Sequence, residues 1–370
     1  MHVNQFATNS KEVRQFCLES DILIIERNFF GDILPAITFW RVRNKPMMAV
    51  FDDAYHIITK DNPAYSFWHD NKMVSSADTV ATRVEQLFSF VEDKENMWGG
   101  VPLAERKDIA STINDMLAKK IPEQKEEKSL AVPAMQQFEF GLKMMRGVQV
   151  PSRMLAEDWS GVNDTYHLPN YINPNKYLHA KPLFPKEDGD IIVGWHGSLS
   201  HVASFRESGV SEALEIIAKK YKNVKVYLGG DKRNYDYAKI ADNKKIFSNF
   251  VPDQQWSSLL KSIDIAVAPL ATEYDKRRSW IRGLEYMILQ IPWIATNFPT
   301  YEKLGDYGTL IDNSVENWVD AISETVEHIE DYKEFAKGAP FEFAQSQSYD
   351  NNMEKNILVY EENINKPYIW

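Results

Sequence analysis

Residues 263–297 read IDIAVAPLATEYDKRRSWIRGLEYMILQIPWIATN. The apolar run from Ile263 to Leu270 has the length of a buried strand and gives way to a strongly charged stretch. Apolar residues then recur at helical spacing from Ser279 to Leu289, and a second apolar run, IPWIATN, follows. A strand, helix, strand unit of this kind builds a parallel sheet, and its charged loop falls at the carboxyl edge of the strands, where open α/β sheets bind ligands.

The same alternation extends upstream. DIIVGWHGSLSH from Asp190 is a buried strand running into a loop with Gly194 and Gly197. Helix is expected over Ala213 to Tyr221, strand over Val224 to Gly230, a short strand in KIFSNFV from Lys245, and helix over Gln255 to Ser262. These segments define a doubly wound domain over 183–340.

Nearer the start, DILIIER at Asp21 to Arg27 and KPMMAVFDD at Lys45 to Asp53 are strands with a helix between them, despite Pro35. From Lys60 to Ser129 the pattern becomes mixed helical, an insertion over about 60–130 that includes the solvated stretch KKIPEQKEEK. A helix from about Met135, a strand at Gly147 to Val150 and a strand in YHLPNYINP complete a first domain over 1–182. The last stretch, 341–370, carries a helix at about Asn351 to Asn363.

With 370 residues, 44% of them hydrophobic and 26% charged, the chain suits two soluble domains. A net charge of -11 opposes non-specific binding to a phosphate backbone. The single cysteine, Cys17, excludes an internal disulfide framework and fits a reducing, cytoplasmic setting. The sequence has no run of about 20 apolar residues and no leader pattern, so no transmembrane segment is expected. A nicotinamide dehydrogenase is disfavoured, because no Gly-x-Gly-x-x-Gly follows a first strand.

Lys276, Arg277, Arg278 and Arg282 cluster about a helix start, where backbone N–H groups and the helix dipole also favour an anion. A diphosphate is the natural ligand; a solvated basic turn is the alternative. At Gly197 the backbone allows close approach, and Ser198 and His201 offer side-chain donors, a weak motif by itself, while His196 and His201 serve equally well as structural histidines. In the first domain Asp52 and Asp53, with Tyr55 and His56, close a strand on acids; such a pair could bind a metal or cap the next helix.

Taken together, Glu285, Tyr286, Pro292 and Ala295 in the frame above resemble the donor domain of the retaining group 1 glycosyltransferases. The resemblance implies the GT-B architecture, two Rossmann-like doubly wound domains facing across a cleft, with the C-terminal helix packing back on the first. It implies an enzyme that transfers a sugar from a uridine or guanosine diphosphate sugar to an acceptor hydroxyl with retention. It also implies no required cofactor and no donor-bound metal.

By that resemblance Glu285 accepts hydrogen bonds from the ribose hydroxyls, as an acceptor-only carboxylate suits. Phe250 and Val251 pass beside the base, and Arg277, Ser279 and Arg282 line the donor site with the Gly197 loop. The family's partner glutamate, eight positions before Glu285, is Arg277 here. The pattern is closer to a subgroup with a basic-Ser pair and a later basic residue before Leu-Glu-Tyr, here Arg278, Ser279 and Arg282. The catalytic candidates are therefore Arg278, with Glu273 or Asp275 replacing the missing glutamate and Asp53 from the first domain. For Asp52 and Asp53, with Tyr55 and His56, the resemblance implies contact with an acceptor or a sugar instead of a metal. The acceptor is open between a glycan, a lipid-linked glycan and modified DNA. A non-catalytic sugar-nucleotide-binding protein of the same fold is the rival.

Overall fold

The computed structural model describes residues 11–30, 33–60, 62, 64–69 and 134–368, and divides the chain into one unit of 1–168 with 355–370 and a second of 169–354. The helical insertion expected over about 60–130 lies outside the described residues, apart from the short helix Tyr65–His69.

In the first unit, strands β1 (Leu23–Glu26), β2 (Met47–Val50), β3 (Gly147–Val150) and β4 (Thr165–His167) form a parallel sheet in that order. Helix Leu34–Val42 joins β1 to β2 with Pro35 in its first turn, where a missing N–H costs no helical hydrogen bond. The strand expected in YHLPNYINP ends at His167; Pro169 offers no N–H to a sheet ladder. An aromatic core covers the sheet, with Phe138 edge-on to Phe29 and Phe51 at 5.1 Å each and Tyr55 stacked on Trp68 at 4.2 Å. The last helix, Tyr349–Asn365, ends in this unit, where Arg146 Nη1 donates to the Asn363 carbonyl at 3.1 Å.

The second unit holds β5 (Ile191–Gly197), β6 (Val224–Gly230), β7 (Lys245–Ser248), β8 (Ile265–Ala268), β9 (Trp293–Thr296) and β10 (Thr309–Ile311), all parallel, in the order β10-β9-β8-β5-β6-β7. Alternate strand residues face opposite sides. Val193, Trp195, Val226, Val267 and Ile294 join one core with helices Val210–Lys220 and Val315–Glu327, while Ile192, Tyr227, Ala266 and Ala295 join the other with helices Asp253–Lys261 and Ile281–Ile288. A sheet covered on both faces explains why its strands read as continuous apolar runs.

Strand order reverses between β5 and β8: the chain builds outward from β5 through β6 to β7, then returns to β5's other side. Loops after neighbouring strands at such a reversal diverge to opposite faces and open a crevice at the carboxyl edge. Two local features shape that edge. Gly230 sits at φ 93°, and a Cβ there would meet the Gly197 carbonyl oxygen at 2.4 Å, so the loops after β5 and β6 approach as only glycine allows. Helix Ile281–Ile288 is stopped by Gln290 at φ 57°, a left-handed turn that directs the chain through Pro292 into β9.

Candidate functional site

The crevice between β5 and β8 gathers the loop after β5, residues 198–201, and the loop after β8, residues 269–280. Asp275 ties them together. Buried and 1% exposed in its side chain, it accepts at Oδ2 from Ser204 Oγ (2.8 Å), the Ala271 and Thr272 N–H groups (2.9 and 3.1 Å) and Thr272 Oγ1 (3.1 Å), and at Oδ1 from Arg278 Nε (2.8 Å). Its own carbonyl accepts from Thr300 Oγ1 at 2.9 Å. Burial opposes ionisation of this carboxyl, but Arg278 and the two backbone donors outweigh it and hold it below the usual aspartate range. Arg278 also donates to the Ser200 carbonyl at 2.8 Å, so the buried ion pair bridges both loops.

The four cations of the sequence cluster divide by partner. Lys276 and Arg277 turn back on Glu273, at 2.5 and 3.1 Å, and Arg278 is held by Asp275. Arg282 differs. Among the described residues it makes no ion pair; its Nη2 donates to His201 Nε2 at 3.3 Å, and its Nη1 is buried with no hydrogen-bond partner. Its charge reaches the groups around it. His196 and His201 are held well below the ordinary histidine range, first by burial and then by the guanidinium groups, Arg282 for His196 and Arg278 and Arg282 for His201. A guanidinium that makes no ion pair, beside imidazoles held neutral, is a group that an anion could satisfy.

Glu285 lies beside Arg282 on the same helix and is buried. Its Oε1 accepts from Tyr177 Oη at 2.8 Å and Trp256 Nε1 at 2.7 Å; among the described residues, no hydrogen bond ends on Oε2. Burial raises this carboxyl above the usual range, against the two hydrogen bonds and the charges of Arg282 and Lys176. Trp256 also stands edge-on to His196, 4.6 Å between ring centres.

The remaining candidates are placed as follows. Ser198 Oγ is 2.9 Å from Ser200 Oγ in the loop after β5, and Gly197 is closed in by Trp195 and His201, which a Cβ would meet at 2.6 and 2.7 Å. Ser279 Oγ accepts from the Ile281 N–H at 3.2 Å, at the start of the Glu285 helix. Phe250 projects into solvent beyond β7, 67% exposed and leaning toward Gly230, while Val251 packs partly against the core. Glu273 is exposed on the rim with its two cations.

The first unit has its own polar edge. Arg27, at φ 60°, pairs with Asp52 at 2.7 Å; burial and the adjacent Asp53 raise the Asp52 carboxyl, against the pull of Arg27. Tyr55 stacks on Trp68, and His56 Nε2 lies 3.1 Å from Asp158 Oδ2.

Three residues of the second-unit site were not legible as such. Tyr177 follows the turn Pro174–Lys176, Trp256 lies in the helix Asp253–Lys261 and Ser204 in the short helix Val202–Glu207, and none of the three stands in a sequence motif. Among the described residues, no helix is long and apolar enough to cross a membrane and no group of three His, Cys, Asp or Glu is placed to hold a metal ion.

Residues 191–328 match the family described as glycosyl transferases group 1. No curated protein matches the chain in sequence. Among solved structures, the chain is similar to HepE of Anabaena, crystallised with UDP and glucose, with a TM-score of 0.51 and 13% identity over 92% of this chain and 99% of that one. It is similar to a glycosyltransferase of Rickettsia africae, TM-score 0.50 and 12% identity over 93% and 98%. TarM of S. aureus, at TM-score 0.47 and 17% identity, is matched over 64% of this chain and 48% of that one, so the chain spans about half of TarM's length. The two parallel α/β units together with the first two likenesses show the GT-B fold.

Proposed function

We propose that the protein is a glycosyltransferase whose second unit binds a nucleoside diphosphate sugar, with the diphosphate at Arg282 and the ribose at Glu285. The observation that carries this is Arg282: a partly buried cation with no carboxylate partner, at the strand-order reversal of the unit that matches group 1 glycosyl transferases. Burying an unpaired charge is unfavourable, and an anionic ligand relieves it. As the glycosidic bond breaks, charge grows on the leaving diphosphate, so a fixed cation there stabilises the transition state more than the ground state.

Roles divide accordingly. Arg282, with His201 and the Gly197 to Ser198 loop, receives the diphosphate. Glu285 takes the ribose, and Phe250 with Val251 flanks the base. Asp275 and Arg278 position the two loops; Asp275 is buried, so Glu273, exposed on the rim and paired there with Lys276 and Arg277, is the accessible carboxylate of this loop for the transferred sugar. Asp52, Asp53, Tyr55 and His56 serve the acceptor. Uridine diphosphate is the preferred nucleotide, supported by the UDP and glucose bound to HepE, and transfer proceeds with retention, supported by the resemblance around Glu285.

Thermal-shift measurements with uridine, guanosine and adenosine diphosphates and their sugars test this. A bound nucleotide raises the melting temperature, and Glu285→Ala abolishes that rise while the unliganded variant stays folded. Absence of any shift, or a shift unaltered in Glu285→Ala, removes the proposed donor site.

A further inference from the structure

The donors to Glu285 carry a consequence for how this site recognises its ligand. A carboxylate oxygen has two lone pairs, and at Oε1 both are filled, by the Tyr177 hydroxyl at 2.8 Å and the Trp256 indole N–H at 2.7 Å. The donors come from separate elements, the turn Pro174–Lys176 and the helix Asp253–Lys261, so they fix the rotation of the carboxylate from two directions. Neither donor carries charge, and the negative charge of Glu285 is left without an ion pair among the described residues.

We propose that Tyr177 and Trp256 are positioning residues for donor recognition, filling Glu285 Oε1 so that Oε2 alone faces the ribose. The inference rests on Glu285 being the ribose residue. A free carboxylate would rotate and share its oxygens between protein and ligand; the two fixed donors remove that freedom before the nucleotide arrives, so less ordering is left to be done on binding.

The same contacts give the inference a signature. Burial favours the protonated form of Glu285, and the hydrogen bonds of Trp256 and Tyr177 oppose it. The other groups facing Glu285 are Arg282 and Lys176, which also favour its ionised form, and Tyr286 and Tyr301, whose burial keeps them neutral. Lys176 is itself paired with Asp253 at 2.5 Å, and His196, beside Trp256, is held neutral by burial and Arg282. Loss of either hydrogen bond therefore moves protonation of Glu285 to higher pH.

The experiment is calorimetric titration of uridine diphosphate, with guanosine diphosphate in parallel, into the full chain from pH 5 to 8, for the unmodified protein, Tyr177→Phe, Trp256→Phe and Glu285→Gln. Protonation of the ligand is common to all four, so differences between them report on the protein. Affinity of the unmodified protein falls on acidification. Tyr177→Phe and Trp256→Phe each bind roughly 10- to 150-fold more weakly at pH 8, the scale of one hydrogen bond to a charged group, and their acid limb shifts to higher pH. In Glu285→Gln binding is weak and that difference disappears. A merely structural role for Tyr177 and Trp256 lowers affinity without moving the acid limb, and that result overturns the inference, as does unchanged binding in both variants. Nucleotide binding by Glu285→Gln at full strength overturns instead the assignment of Glu285 to the ribose. Melting temperatures of the unliganded variants identify any that fail to fold, and the two aromatic substitutions test the same claim independently.

Discussion

Each sheet carries an arginine-aspartate pair at its carboxyl edge, and the two pairs differ in setting. In the first unit Arg27 and Asp52 meet at 2.7 Å with side chains 52% and 35% exposed; in the second, Arg278 and Asp275 meet at 2.8 Å with 13% and 1% exposed. The difference follows from strand order. β1 to β4 are laid down in sequence, without a reversal among the described residues, so the first edge offers no crevice of the kind that opens between β5 and β8. In the second unit, diverging loops enclose polar groups, which must then satisfy one another. Asp275 does so with five hydrogen bonds, whereas Arg282 Nη1 is left without a partner, the observation on which the proposed diphosphate site rests.

If enclosure is the difference, the largest effect falls on Asp275. Asp275→Asn leaves Arg278 partly buried without its counter-ion and weakens the joint between the two loops; we expect a loss of about 3–5 kcal/mol in the stability of the second unit, the scale of a broken buried pair, measured by urea unfolding. A loss under 1 kcal/mol would erase the contrast with the first edge.

Arg282→Ala sharpens the same comparison from the opposite side. It removes a cation that makes no ion pair among the described residues and only one long hydrogen bond, to His201 at 3.3 Å, so the unliganded protein keeps or raises its melting temperature, while nucleoside diphosphate affinity falls by about 2–4 kcal/mol, as for truncation of a buried charged contact. Calorimetry on the variant checks both halves of that statement.

Acid provides the next test. His196 and His201 have depressed pKa values when folded, so their contribution to stability is complete above the unfolded value near pH 6.5 and is lost as pH falls toward the folded values. Each histidine contributes a slope of about 1.4 kcal/mol per pH unit over that range. Glu285, raised by burial, acts with the opposite sign, between the ordinary glutamate range and its folded value. Unfolding followed from pH 7 to 5 should show the histidine slope in the unliganded protein and a shallower one in His201→Asn; equal slopes would mean that His201 is solvated.

The smallest effect belongs to the first unit. Asp52→Asn should change stability by no more than about 1 kcal/mol, because the Arg27 side of the pair is half exposed and screened, its side chains are ordered at an entropic expense, and partial burial of Asp52 already opposes its charge. The same denaturation assay checks this, and a loss matching that of Asp275→Asn would show the first edge to be as enclosed as the second.

Much of the second unit was legible before its structure. Ile263 to Leu270, the helix around Glu285 and IPWIATN appear as β8, Ile281–Ile288 and β9, because period and apolar run length are local properties of a chain packed on both faces of a sheet. The short strand in KIFSNFV stops at Ser248, with Pro252 soon after. Glu273 and Asp275 show the limit. Both are acids in the same charged loop, yet the turn Asp275–Arg277 leaves Glu273 in solvent and turns Asp275 into the core, a distinction that two positions of sequence do not encode.

By itself the sequence determined which segments become strands and helices in the second unit, that charged residues gather after β8, and that Glu285 stands on the helix that follows. Those are matters of local spacing and composition. Only the tertiary structure decided which charges are satisfied. Tyr177 and Trp256 reach Glu285 from positions 108 and 29 residues away, and Ser204 reaches Asp275 across 71. Partnership in a buried site depends on which loops strand order brings together, and that order is set by packing of the whole sheet rather than by any one stretch of it.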